Sequence, residues 1–468
     1  MTTEQLYQLY LQHPVISTDT RKIAEGSLFF ALKGDKFDAN TFAKQAINSG
    51  AAYAIIDNPA YKINGQCLLV ADVLTALQDL ARHHRKQLNI PVIGLTGTNG
   101  KTTTKELINA VLSQHFTTLV TQGNLNNHIG VPLTVLSINA SHQVAVIEMG
   151  ANHIKEIALL CSITQPTHGL ITNVGKAHLE GFGSIEGVKI AKGELYDYLG
   201  REVRKSEKSE SGEVSTNNLP DFRTSRLPDP KGVAFINSNS SVLMEMQASR
   251  KFAISPVFYG DDIDDLVSGE ITENAPLLSL RWTNNSSGES YAVKTQLTGA
   301  YNLDNILAAI CIGVYFKLTA SEINKGIESY QPQNNRSQIV QTATNTLICD
   351  YYNANPSSMM VAIENIGKIA AKRKVLILGD MFELGHESAG EHRAVLEKAL
   401  DTEVDERIFI GKEFAPRPPE GGVFEEHAVF YRTVEDAIAG LKANPIKNST
   451  ILIKGSRGMA LEQLVGLF

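Results

Sequence analysis

Cysteine is scarce and scattered. The four thiols, Cys67, Cys161, Cys311 and Cys349, lie far apart in a chain of 468 residues, and none forms a CxxC pair. That spacing gives no support to a zinc cluster or a disulfide framework. No apolar run approaches the ~20 residues that a membrane span requires. The opening stretch MTTEQLYQLYLQHP lacks the basic-then-apolar layout of a secretory signal. An excess of positive charge is also missing. With 43 Lys+Arg against 50 Asp+Glu the formal net charge is −7, which disfavours sequence-independent nucleic-acid binding. These absences lead to the expectation of a soluble, cytoplasmic protein with neither a nucleic-acid partner nor membrane insertion.

Hydrophobic residues at 43% and charged residues at 20% are ordinary globular values, so neither general disorder nor a fibrous repeat fits. At roughly 150 residues per domain the length argues for about three domains. In the first, Ser27 to Leu32 is a short strand candidate. Val73, Leu74, Leu77, Leu80 and Ala81 recur on one helical face that ends near His84. From Pro91 the rhythm changes to short apolar runs at PVIGLTG, TTLV (117–120), VAVIEMG (144–150) and HGLITNVG (168–175), separated by helical patterns such as Leu107, Ile108, Val111 and Leu112. That alternation predicts a mainly parallel sheet covered on both faces. It resumes at VAFIN (233–237) and runs through NLDNILAAICIGVYFKL to about residue 318. Residues 201–231, rich in Ser, Glu, Lys and Pro, carry almost no apolar period and predict a mobile surface insertion. The last third repeats the rhythm at TLICD, KVLILGD, RIFIG, AVFY and TILIKG. The prediction is an α/β chain of three domains: a small mixed α/β domain over 1–88, a central phosphate-loop ATPase domain over 89–318, and a Rossmann-like domain over 319–468.

The most informative segment is Gly94-Leu-Thr-Gly-Thr-Asn-Gly-Lys-Thr-Thr-Thr104. An apolar strand enters a glycine-rich turn, and Lys101 and Thr102 then open a helix. Glycines let backbone N–H groups wrap phosphate oxygens, and the helix N-terminus adds favourable partial charge. Gly97, Thr98, Asn99, Gly100, Lys101, Thr102 and Thr103 are therefore the predicted nucleotide cradle. Lys101 would reach the β- and γ-phosphates and the Thr102 hydroxyl would bind Mg²⁺. The spacing is GxxGxxGK, not GxxxxGK[ST], since position 95 is Leu, and it points to a particular subset of phosphate loops. No NKxD-type guanine motif is visible, so ATP is the expected nucleotide. Glu148 ends the strand VAVIE, the right place for a Mg²⁺ carboxylate at the carboxyl edge of a parallel sheet; the plainer alternative is a surface ion pair.

TGTNGKTT, together with GNLNNHIGVPLTVL (123–136), EMGA (148–151), ITNVGKAHLEGFGS (171–184), AKGE (191–194), YNANPSS (352–358), LGDMFELG (378–385) and KGSRGM (454–459), closely resembles the Mur ligase family of ATP-dependent amide-bond-forming enzymes. The matches run in order over nearly the whole chain. Each is weak to moderate alone; together they are highly specific. Within that family they are most similar to the branch acting on UDP-N-acetylmuramoyl-tripeptide and D-alanyl-D-alanine. The rivals are the branch that adds the third amino acid, which commonly carries a DNPR-like motif where this chain has YNANPSS, and a non-catalytic ATP-binding module. The resemblance implies a monomer that phosphorylates a peptide carboxylate with ATP and lets an amine attack the acyl phosphate. Two anions must then meet, so cations are needed to neutralise them.

The resemblance also implies roles residue by residue. Thr102, Glu148, His178 and Lys192 would hold the metal ions, and Lys101, His178 and Lys192 would be catalytic. Lys192 would act as a carbamate, with Lys189 one turn earlier as the competing lysine. Asn302 and Asn305, spaced i, i+3, would contact adenine or else cap a helix, and Tyr301 stands where many relatives carry His. Arg336 and Asp350 would reach the nucleotide from the third domain. Asn353, Asn355, Ser456 and Arg457 would take the amine substrate, with a helix cap the plain alternative at Ser456. Ser17, Thr18, Thr20 and Arg21 would contact the uridine end of the other substrate. Asn126 and Asn127 would sit in a substrate-binding loop. His128, His142, His153 and His168 are given no role.

Overall fold

The computed structural model describes residues 1–206, 232–252, 254–274, 277–333, 335–414 and 428–468, with the backbone alone for 201–206. Of the insertion expected over 201–231, the first six residues continue the helix Ile185–Ser206, and 207–231 lie outside the described residues.

The first domain carries four parallel strands in the order Ile16–Ser17, Leu28–Phe30, Tyr53–Ile56 and Cys67–Leu69. Alternation along Leu28–Phe30 sends Leu28 and Phe30 toward helices Thr3–Gln12 and Val73–Gln87, and Phe29 toward helix Ala43–Asn48. Both faces are covered, which is why the strand is continuously apolar.

The central sheet has nine strands, in the order Glu289–Lys294, Leu278–Asn284, Val267–Asn274, Val257–Gly260, Val233–Asn237, His168–Ile171, Val92–Thr96, Val144–Glu148 and Thr118–Val120. The last seven of these run parallel, and the first two add an antiparallel meander. That meander was not legible in the sequence, because one of its faces is wet and polar residues interrupt the apolar period. On one side of the sheet, helices Gly130–Leu136, Glu156–Thr164 and Ile185–Ser206 bury Ala145, Ile147 and Ile171. On the other, helices Lys101–Leu112 and Leu303–Tyr315 bury Ile93, Leu95 and Phe235. Strand Val92–Thr96 has Val144–Glu148 on one flank and His168–Ile171 on the other. The connections reverse across it, which opens the crevice where doubly wound sheets bind ligands.

The third sheet runs Gln338–Gln341, Thr346–Asp350, Thr450–Lys454, Lys374–Gly379, Glu406–Ile410 and Ala428–Tyr431, all parallel except its first strand.

The structure redraws one expectation. Helix Ala320–Ser329, assigned to the third domain by a boundary after 318, packs on helix Lys101–Leu112, with Ile323 and Ile327 fully buried in the central core. After TILIKG the chain forms two 3-10 stretches, Arg457–Met459 and Leu461–Leu467, interrupted by Ala460 in the left-handed region at φ 53°. The first domain is bolted to the second: His84 Nε2 lies 2.8 Å from the Ile138 carbonyl, and Arg85 Nε donates to the Thr164 carbonyl at 2.9 Å.

Helix Ala320–Ser329 comes so close to its neighbour that a Cβ at Gly326 would lie 2.6 Å from the Ala110 carbonyl oxygen and from Val111 Cα. Backbone cannot swing aside as a side chain can. Gly326→Ala is therefore expected to cost about 1–3 kcal/mol by overpacking, read as a lower midpoint in urea or thermal melts; an unchanged midpoint would mean the helices can part freely.

Candidate active site

One cavity of about 810 Å³ lies where the carboxyl edge of the central sheet faces the third domain. The phosphate loop forms its inner wall. Gly97 and Gly100 have φ of +146° and +76°, which a side chain rarely adopts, and a Cβ at Gly97 would lie 2.0 Å from Thr172 Oγ1. The loop is braced from the neighbouring strand end: Asn99 N donates to Asn173 Oδ1 at 2.9 Å, Thr172 Oγ1 donates to the Asn99 carbonyl at 2.6 Å, and Gly175 N donates to Thr98 Oγ1 at 2.9 Å. Thr172 and Asn173 were not singled out from sequence, although the ITNVG segment contained them.

Lys101 folds back over the loop, its ammonium donating to the carbonyls of Gly97 at 2.8 Å and Thr98 at 2.9 Å. Burial, with a smaller push from Arg336, lowers its pKa to about 8 against the pull of Glu148. Thr102 Oγ1 donates to Glu148 Oε2 at 2.9 Å, and Asn126 Nδ2 donates to Glu148 Oε1 at 2.8 Å. Glu148 is almost fully buried, and its backbone N–H donates to Thr121 Oγ1. Two hard oxygens thus stand side by side next to a phosphate loop. Among the described residues no group of three or more His, Cys, Asp or Glu side chains gathers as a metal cage. The donor set of Thr102 and Glu148 nevertheless suits Mg²⁺, which takes one or two protein oxygens and fills its octahedron with water and substrate phosphate.

His178, at φ 50°, pairs through Nδ1 with Glu383 of the third domain. Burial lowers the imidazole pKa, opposed by Glu383. Lys192 lies beneath the cavity, 2% exposed, with Nζ 3.3 Å from the Ala151 carbonyl and 5.2 Å from the centre of the Phe182 ring. Burial, reinforced by the charge of Lys101, brings it down to about 7, against Glu156 and Glu194. Lys189, the competing lysine, pairs with Glu245 at 2.7 Å.

Asn302 and Asn305 both line the cavity, but their amides serve an internal chain. Thr104 Oγ1 donates to Asn305 Oδ1, Asn305 Nδ2 to Asn302 Oδ1, and Asn302 Nδ2 to the Thr298 carbonyl. Asn302 makes no side-chain cap. From the far wall, Asn355 Nδ2 donates to Asn99 Oδ1 at 2.8 Å. Asp350 accepts from Lys454 Nζ at 2.6 Å and from the Ser337 N–H. The Tyr301 hydroxyl meets Ser337 Oγ at 2.6 Å. Thr103, Asn127, Arg336 and Asn353 also line the space.

Other predicted residues stand apart. Ser456 and Arg457 do not line the cavity. Buried Ser456 accepts from the Phe382 N–H and caps nothing. Ser17, Thr18, Thr20 and Arg21 lie on the first domain, where Arg21 forks onto Asp19. Of the histidines given no role, His128 does line the cavity, whereas His168 is sealed among Phe235, Tyr315 and Phe316.

The fold and this cleft define the class: a three-domain α/β protein whose phosphate loop faces the third domain across a cavity. Residues 14–93 match the Mur ligase family catalytic domain, 95–205 the Mur ligase middle domain, and 335–457 the Mur ligase glutamate ligase domain. The UDP-N-acetylmuramoyl-tripeptide–D-alanyl-D-alanine ligase of Escherichia coli K12 is 36% identical over 96% of this chain and 92% of its own length; that of Bacillus subtilis 168 is 33% identical over the same shares. A crystal structure of MurF from Acinetobacter baumannii superposes with a TM-score of 0.82 at 30% identity, covering 99% of this chain and 98% of its own. The Thermotoga maritima MurF ligase in complex with ADP shares the fold, with a TM-score of 0.79 at 23% identity over 97% of this chain and 96% of its own. This chain belongs to the Mur ligase family and is an ATP-dependent amide-bond-forming ligase.

The Lys192 amine links stability to pH. Below about 7 it is protonated in the folded and the unfolded chain alike, and the burial cost is complete. Between about 7 and the ordinary 10.5 the unfolded chain holds the extra proton, so stability rises with pH. In carbonate-free buffer Lys192→Met is expected to melt higher than the parent at neutral pH, with the gap closing toward pH 10; a gap independent of pH would place the amine in water.

Proposed function

We propose that the chain joins D-alanyl-D-alanine to the tripeptide carboxylate of UDP-N-acetylmuramoyl-tripeptide through an acyl phosphate, using ATP and Mg²⁺, in the making of peptidoglycan precursors. The observation that carries this reading is a cavity walled by the phosphate loop on one side and by Asn353, Asn355 and Lys454 on the other, in a chain whose relatives at 33–36% identity carry that ligase name.

The tripeptide carboxylate is a poor electrophile and carries the same sign as the phosphate it must meet. Lys101 supplies a fixed positive charge beside both. It is already desolvated, so its attraction for phosphate is little screened by water. Thr102 and Glu148 would hold a Mg²⁺, whose chemistry there would be to neutralise phosphate charge. Arg336 and Asp350 serve the nucleotide from the third domain, with Asn302 and Asn305 at its base. Asn353, Asn355, Ser456 and Arg457 take the dipeptide. Ser17, Thr18, Thr20 and Arg21 hold the uridine end of the UDP substrate, and Asn126 and Asn127 contact the substrate near the loop. A carboxylate oxygen bonds to the γ-phosphorus as ADP leaves. The dipeptide amine, having shed its ammonium proton, then bonds to the acyl carbon as inorganic phosphate leaves. The third domain keeps water from the acyl phosphate.

His178 and Lys192 would complete the second metal position. Only a neutral amine adds CO₂, and a value near 7 leaves a large neutral share at physiological pH. The resulting carbamate would turn a cation under the cavity floor into an anion. We also propose that the chain works as a monomer in the cytoplasm; among the described residues no helix is long and apolar enough to cross a membrane.

Phosphate release from purified protein should require UDP-tripeptide and D-alanyl-D-alanine together; ATP hydrolysis of equal rate with neither present would sink the ligase reading. Lys192→Ala should lose at least about tenfold in kcat and recover part of it with added short carboxylates such as acetate. Full activity without rescue would remove the carbamate.

A further inference from the structure

Arg336 lies between Asn335 and Ser337, both in the left-handed region at φ 57° and 53°, where the chain passes from the central domain into the third sheet. Its Nε is buried and has no hydrogen-bond partner among the described residues, and its guanidinium sits 3.9 Å from the centre of the Tyr352 ring. The same ring takes a second guanidinium, that of Arg457, at 5.1 Å, and Arg457 Nη1 donates to the Tyr352 hydroxyl at 3.3 Å. Tyr352 also ties the crossing segment through its backbone, its N–H donating to the Asn335 carbonyl at 3.2 Å.

Two guanidinium groups repel each other, and among the described residues no carboxylate forms an ion pair with either that would cancel its charge toward an anionic ligand. The face of one aromatic ring attracts both without neutralising either. A carboxylate in its place would bind them more tightly but spend the charge that phosphate and substrate carboxylate need.

We infer that Tyr352 is a positioning residue: its ring sets Arg336 toward the nucleotide and its hydroxyl sets Arg457 toward the carboxylate of the amine substrate, so both cations move as one unit with the third domain. This rests on the ligase reading for the identity of the amine substrate, while the nucleotide half does not. The two functions of the side chain separate by substitution. Tyr352→Phe keeps the ring and removes the hydroxyl; Tyr352→Leu removes both.

The test measures KM for D-alanyl-D-alanine and for ATP in the phosphate-release assay. Calorimetry adds the affinity for a nonhydrolysable ATP analogue, and each variant's melting temperature is recorded. Tyr352→Phe is expected to raise KM for the dipeptide about three- to tenfold and to shift the analogue affinity less than twofold. Tyr352→Leu is expected to weaken analogue binding about fivefold or more as well, with melting close to the parent. Unchanged constants in both variants would overturn the inference. So would an equal loss in all constants that tracks a lowered melting temperature, the mark of a merely structural ring. If the parent releases no phosphate with both substrates, the ligase reading falls on its own, and the analogue affinities still decide whether the ring sets Arg336.

Discussion

Positive charge held out of water without full neutralisation is the constraint on which the rest of the site depends. Lys101, Lys192 and Arg336 converge around one cleft with Glu148 as the carboxylate nearest the loop, and both lysines are pushed below their ordinary values chiefly by burial, with Arg336 adding to the shift of Lys101 and Lys101 to that of Lys192. Such crowding costs stability wherever no anion is bound. It is tolerable because each cation has a neutral host: backbone carbonyls for Lys101, a carbonyl and a ring for Lys192, a ring for Arg336. Carbonyl dipoles and ring faces hold a cation in place and leave its field open to an incoming phosphate.

That arrangement explains the elaborate bracing of the phosphate loop. A strand-end threonine and asparagine clasp Asn99, and the chain of amides from Thr104 through Asn305 to Asn302 pins the loop helix to its neighbour. Asn355 reaches the same Asn99 from the third domain. The loop therefore touches the opposite lobe directly, and so do Lys176 through Glu391 and His178 through Glu383. These cross-lobe contacts are polar and half exposed, hence individually weak. They suit a lobe that must close on substrate and open on product better than an apolar interface would.

Most of the domain plan was legible because parallel sheets covered on both sides demand continuous apolar strands, and VIGLT, VAVIE, VAFIN and KVLIL supply them. The meander from Val267 to Lys294 escaped notice, since one wet face breaks the apolar run into a pattern that loops also show. Helix Ala320–Ser329 was misplaced because an amphipathic helix states that it has a buried face and not which sheet it covers.

For the site, the local pattern determined what a single turn can do: two glycines between strand and helix, with a lysine and a threonine opening the helix, make a phosphate cradle in any surroundings that allow the turn. A carboxylate at the end of VAVIE is placed by the same logic. Tertiary structure alone decided the rest. That Lys192 and not Lys189 lies under the cavity depends on which turn of helix Ile185–Ser206 faces the sheet. That Asn302 and Asn305 spend their amides on each other depends on a helix packed from two hundred residues away. That Tyr352 meets two arginines, one from the crossing segment and one from the 3-10 turn after the chain's last strand, depends on contacts between residues far apart in sequence. Side-chain spacing along a chain encodes only near neighbours; which distant groups share a dielectric, and so what their charges can do, is settled when the layers close.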